Sequence, residues 1–183
     1  MSRCSVFVLA FVLGATSVAG EVQTTFFETG AIAILTGETD MSHRTGGSVT
    51  ELSEYILQLK SVGAAFVAST KDAPRVTGAY VVVVKPGKRS RIWVRLIGKE
   101  PYQEFVDGLS FALQTVEPPT VVDGPVALSV SFRTWPKGAF PIPFVGVAAL
   151  YRDIGTQSAS MDMDTDTLIR TVWPGFYPIS TDG

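Results

Sequence analysis

Apolar residues in this chain follow three kinds of spacing: one long unbroken run, several short alternating runs, and two stretches with a helical repeat. The unbroken run comes first. Positions 5–13 are almost wholly apolar, with Arg3 before them and Ser17-Val18-Ala19-Gly20 after. The run through Ala19 covers ~15 residues, fewer than the ~20 a helix needs to cross a bilayer. A basic start, a short apolar stretch and small closing residues describe a secretory signal, cut after Ala19 or Gly20. An uncleaved anchor is the alternative for the same residues. The expected organisation is a cleaved signal peptide at 1–20 and a single α+β domain at 21–183.

Further along, residues 22–27 and 31–36 read as short strands parted by a Glu-Thr-Gly turn, and a polar loop fills 37–47. Ser48-Val49-Thr50-Glu51 has the form of a capping box, in which hydroxyl and carboxylate satisfy first-turn amides reciprocally. Val49, Leu52, Tyr55, Ile56, Leu59 and Val62 then recur at helical spacing, and Gly63 offers a natural stop. A β-branched run at 79–84, a Lys85-Pro86-Gly87-Lys88 turn and an alternating run at 91–97 predict a hairpin. In its second strand Ile92, Val94 and Leu96 point one way, while Arg91, Trp93 and Arg95 point the other.

Pro101 suits the first turn of a helix whose apolar face is Tyr102, Phe105, Val106, Leu109, Leu113 and Val116. Gly108 weakens that helix by about 1 kcal/mol relative to alanine. Pro118-Pro119 ends it, and Asp123-Gly124 turns the chain into 126–132, where Val126, Leu128, Val130 and Phe132 alternate with small or polar residues. Residues 135–143 are rich in Pro and Gly, 144–151 suggest a last strand, and 157–167 are polar. The segment 168–178, with Trp173, Phe176 and Tyr177, is expected to dock on the body rather than hold three aromatics in water. The predicted fold is α+β: an antiparallel sheet of about five to seven strands with two amphipathic helices packed on one face.

Charge and cysteine content narrow the setting. Lys and Arg number 15 against 17 Asp and Glu, a formal net charge of −2, and losing Arg3 with the leader makes the balance more acidic. No general affinity for polyanions follows, and nucleic acid is not an expected partner. The single cysteine, Cys4, precedes the apolar run, so it is not the lipidated cysteine of a bacterial lipoprotein signal. Processing removes it, leaving a chain without disulfide, cysteine zinc site or thiol nucleophile. An exported domain of this size standing on its core alone fits a bacterial periplasmic or secreted protein. No second apolar run reaches membrane-spanning length.

The hairpin carries the most distinctive surface chemistry. Lys85, Lys88, Arg89, Arg91, Arg95 and Lys99 fall within fifteen residues without one acid. Guanidinium forks carboxylate or phosphate and an indole offers a stacking surface, so Lys88, Arg89, Arg91, Trp93 and Arg95 are the candidate partner-binding residues. The plain alternative is a solvated outer face, with Trp93 covered by the C-terminal tail. A second candidate is a metal site from Met41-x-His43 and Met161-Asp162-Met163, since thioether and imidazole suit Cu(I). Asp162, Asp164 and Asp166 space like the start of a calcium loop, but Thr167 replaces its glycine and Trp173 its closing glutamate, which excludes an EF-hand. His43 with Asp40 and nearby serines permits a triad on paper. No G-x-S-x-G, H-E-x-x-H or phosphate-cradling glycine loop is present, and the pattern leans away from an enzyme and calls for no cofactor.

The stretches VVVVKPGKRSRIWV and FALQTVEPPTVVDGPVALSVSF, within about residues 76–133, resemble the C-terminal domain of TonB-type energy transducers. That family places a hairpin before a helix, a Pro-containing break, a Gly and a last alternating strand. The resemblance implies a periplasmic module that pairs an exposed strand edge with a short segment of a partner. The chain lacks the Pro-rich spacer of a transducer and carries extensions on both sides of the block, so an energy-transducing role is not implied. The functional expectation is an exported, non-catalytic binding module that engages another extracytoplasmic protein, or an anionic envelope component, through an open strand edge and the basic hairpin. Copper handling and a small secreted hydrolase are the alternatives.

Overall fold

The computed structural model describes residues 26–46, 49–98 and 102–136, together with Thr167, Ile169 and Trp173. Its elements run β1 (Phe27–Ile34), α1 (Glu38–Arg44), α2 (Val49–Ser69), β2 (Thr77–Lys85), β3 (Arg89–Ile97), α3 (Gln103–Gln114) and β4 (Val126–Thr134). The strands form one antiparallel sheet in the order β1-β4-β2-β3. The fold is therefore α+β. The sheet has four strands among the described residues, not five to seven.

Part of that difference is a turn that does not exist. The expected Glu-Thr-Gly turn lies inside one strand, β1, whose register against β4 shifts between Thr29 and Ile32. Gly30 sits inside that shift. A glycine flanked by strand formers accommodates an irregularity as readily as a reversal, and here pairing with β4 carries the chain straight on. The other expected strand, 144–151, lies outside the described residues, as do the capping serine and the leader.

One face of the sheet meets the helices. Phe27, Tyr80, Val82, Leu128, Val130 and Phe132 are buried there against Leu52, Tyr55 and Leu59 of α2 and Phe105, Leu109 and Leu113 of α3. Each such side chain contributes roughly 1.5–3 kcal/mol on burial. α2 does not stop at Gly63 but runs on to Ser69, because that glycine serves packing. A Cβ at position 63 would lie 2.8 Å from Cε1 of Phe27, whose ring is fully buried and stacked on Phe132 at 5.1 Å between centroids. The polar stretch expected as a loop contains α1, held by Met41, which packs into the same core, and by Arg44, whose Nη1 donates to the Pro125 carbonyl at 2.8 Å.

The opposite face is covered too. β4 is buried along both sides, with Ala127, Ser129 and Ser131 as inaccessible as the apolar residues that alternate with them. Val81, Val83, Ala127 and Ile169 form a second cluster, joined by Leu35, Trp93 and Trp173. Ile169 and Trp173 pack onto this face, and the Trp173 amide donates to the Ile169 carbonyl at 2.9 Å. No helix among the described residues is long and apolar enough to cross a membrane.

Candidate functional site

The hairpin forms as its turn residues dictate: Gly87 and Lys88 both take positive φ, 83° and 54°, and the strands pair from Lys85↔Arg89 to Thr77↔Ile97. Odd-numbered side chains of β3 then share the sheet's second face. Arg91 lies 5.1 Å from the centre of the Trp93 ring, and Trp93 is half-buried in the second cluster rather than standing in solvent. Lys88 leaves the row at the turn and donates to Oε1 of Glu117 at 2.6 Å. That bond holds the Glu117 carboxyl below, and the Lys88 ammonium above, their ordinary ranges. Neither Arg89 nor Arg95 is a free cation.

The least expected cation is Lys85. It is 1 % exposed, donates from Nζ to the Trp173 carbonyl at 2.7 Å, and sits 4.4 Å from the centre of the Trp173 indole. Burial, helped by the neighbouring Arg89 charge, pushes its ammonium below the usual lysine range. In sequence Lys85 reads as a turn residue and as the first cation of the basic hairpin. Its place at the end of a run of four valines is the signal that it faces inward.

The two edges of the sheet differ. In β3 the pairing with β2 turns the backbone of Ser90, Ile92, Val94 and Leu96 outward. α3 runs antiparallel along this edge and occupies its first half. Gln114 accepts from the Ile92 amide at 3.0 Å and donates to the Ser90 carbonyl at 2.8 Å, while the Ser110 hydroxyl donates to the Ile92 carbonyl at 3.0 Å. Four residues of helix rise about 6 Å, close to two residues of strand, which is why polar residues four apart meet outward groups two apart.

At the other edge the Trp135 amide donates to Phe26 and the Leu35 amide to Ala127, each at 2.9 Å. That phase turns Phe27, Ile32 and Ile34 of β1 outward. No helix side chain among the described residues bonds to them, and Ile34 is 43 % exposed. Among the described residues the open edge is therefore on β1, across the sheet from the basic hairpin.

The candidate metal residues are dispersed where they can be placed. Met41 and His43 are two apart on α1, about 200° around the helix, so Met41 is buried in the core while the His43 ring is exposed. His43 Nδ1 lies 3.7 Å from Oδ2 of Asp123, also exposed. Met161 and Met163 lie outside the described residues. Among the described residues no three His, Cys, Asp or Glu converge on a metal position. No protein-family model matches the chain, and no curated protein or solved structure is significantly similar to it.

Proposed function

We propose that this chain is an exported, non-catalytic binding module that captures an extended segment of a partner protein along the outer edge of β1. The observation that carries the reading is the asymmetry of the two edges. The first half of β3 is guarded by Gln114 and Ser110, whereas among the described residues no helix side chain bonds to the outward backbone of β1, which runs beside an exposed isoleucine. An added strand gains main-chain hydrogen bonds there, and its alternate side chains extend the apolar row of Phe27, Ile32 and Ile34. The weak TonB-like pattern and the leader support a periplasmic or secreted setting for such a module.

The test uses protein secreted by its native host, with N-terminal sequencing expected to begin at Gly20 or Glu21. A library of short random peptides is selected on it, and the best binder is titrated against Ile34→Pro. That substitution removes an outward amide and leaves the bonds to β4 in place. Loss of one such bond weakens binding by about tenfold. Unchanged affinity for Ile34→Pro, selection of no binder, or a first residue of Met1 overturns the proposal.

A further inference from the structure

We propose that the segment taken up by the β1 edge is of one chemical class: two apolar side chains at alternate positions, beside Ile34 and Ile32, and beyond them a carboxylate beside Thr29, held by Lys60 of α2. This rests on the β1-edge reading and adds what that edge selects. Phe27, Thr29, Ile32 and Ile34 pair with Thr134, Phe132, Val130 and Leu128, so their side chains share the helix-covered face of the sheet. A strand added outside β1 places every second side chain in the same row, under the flank of α2.

Three contacts place that flank. Tyr55 lies by Ser90, next to Gln114 at the end of α3, whereas the Phe66 ring meets Phe105 near its start, so α2 runs antiparallel to α3. It therefore runs antiparallel to β1 as well, with Gly63 over Phe27. Phe66 turns to α3 on one side of Gly63, and Lys60 lies ~60° round on the other side, toward β1. Rises of ~4.5, ~10 and ~21 Å back from Gly63 set Lys60 level with Thr29, Ile56 with Ile32 and Val49 with Ile34. Ile56 is half-buried against the core, while Val49 is exposed like Ile34. Lys60 is exposed, and among the described residues it has no hydrogen bond or ion pair. It is the one charge on this flank: Glu54 and Glu51, which accepts from the Thr120 amide, turn the other way. Main-chain bonds are blind to sequence, so selection comes from this row. Cover for Ile34 and Val49 favours apolar side chains, and the Lys60 ammonium favours an acid over a base.

The peptide selection on the secreted protein tests this. Selected binders share two apolar residues at alternate positions with an Asp or Glu two or three residues beyond. The best binder is then resynthesised with that acid as Asp, Asn and Lys, and each form is titrated at low salt against the parent and Lys60→Glu. The parent binds the Asp form about tenfold more tightly than the Lys form, with Asn between, and Lys60→Glu reverses the order. Binders without a common acid, or the same order in both proteins, overturn this inference, while loss of binding in Ile34→Pro leaves the β1 reading standing. No binder at all, or one indifferent to Ile34→Pro, overturns both. If the reversal unfolds the chain, Lys60→Gln replaces it and binds the three forms equally; a retained preference for Asp there overturns the inference as well.

Discussion

Replacing Ser110 and Gln114 together by alanine strips the guard from the β3 edge. Four hydrogen bonds disappear: Gln114 to the Ile92 amide, the Ser90 carbonyl and the Ser90 hydroxyl, and Ser110 to the Ile92 carbonyl, at 3.0, 2.8, 2.9 and 3.0 Å. At about 1 kcal/mol net apiece the loss is about 4 kcal/mol at most. Water reaches the freed groups at an edge, and alanine raises helix propensity by roughly half a kcal/mol per site, so the net cost falls to about 2 kcal/mol. For a chain of this length that lowers the melting temperature by about 6 °C. The second effect is the more telling. A strand with unpaired donors and acceptors is a template, so the variant, with a second edge uncovered, associates more strongly with rising concentration than the parent. Thermal melting and sedimentation velocity read the two effects separately. A variant that melts with the parent refutes the energetic argument. One that is destabilised yet no more associated than the parent refutes the claim that α3 guards this edge.

Two further outcomes follow from the core. Gly63→Ala destabilises by about 1–2 kcal/mol in chemical unfolding, because the gain in helix propensity is smaller than the cost of pressing on Phe27, which is walled in by Phe132. Gly108→Ala, whose Cβ meets the end of the partly exposed Phe66 ring at 2.8 Å, is close to neutral because that ring can swing; equal losses at both sites would contradict this. Burial, with a smaller effect of Tyr55, holds the Tyr80 phenol protonated well above its ordinary range. Above pH ~10 the unfolded chain sheds that proton while the folded chain keeps it, so stability falls as pH rises, by up to ~1.4 kcal/mol per pH unit. Tyr55 acts in the same direction, also through burial, while Lys85, depressed in the fold, works the opposite way below its own ordinary value. Unfolding titrations of Tyr80→Phe should show a shallower alkaline decline, and an unchanged slope would remove Tyr80 as a cause.

How much could be read in advance depends on whether a residue's role was local. The repeat of Leu52, Tyr55 and Leu59, the period of Phe105, Leu109 and Leu113, and the Pro86-Gly87 turn act through neighbours in sequence, and the elements formed there. Gly30 and Gly63 misled because a glycine says only that a Cβ is unwelcome. Whether a turn, a bulge or a neighbouring ring is the reason depends on chain far away. The short helix α1 was hidden in a polar stretch because one residue, Met41, anchors it in the core. The burial of Ala127, Ser129 and Ser131 does not follow from the alternation, since small residues serve a covered sheet as well as a wet one. For the candidate site, the hairpin and its facing row were legible. Its burial partners, and the guard at Gln114, come from elements 22 or more residues distant.

The place of β4 sets the order in which this molecule can be made. The last described strand inserts between the first and the second, pairing on one side with residues about 100 positions earlier. Neither neighbour can complete its bonding until that final piece arrives, so a nascent polypeptide emerging from the ribosome keeps β1 and the hairpin as separate, unfinished fragments. Closure is a late, long-range event, which makes for slow assembly and a prolonged exposed state. The same delay leaves the sheet unclosed until the chain has been made as far as Thr134.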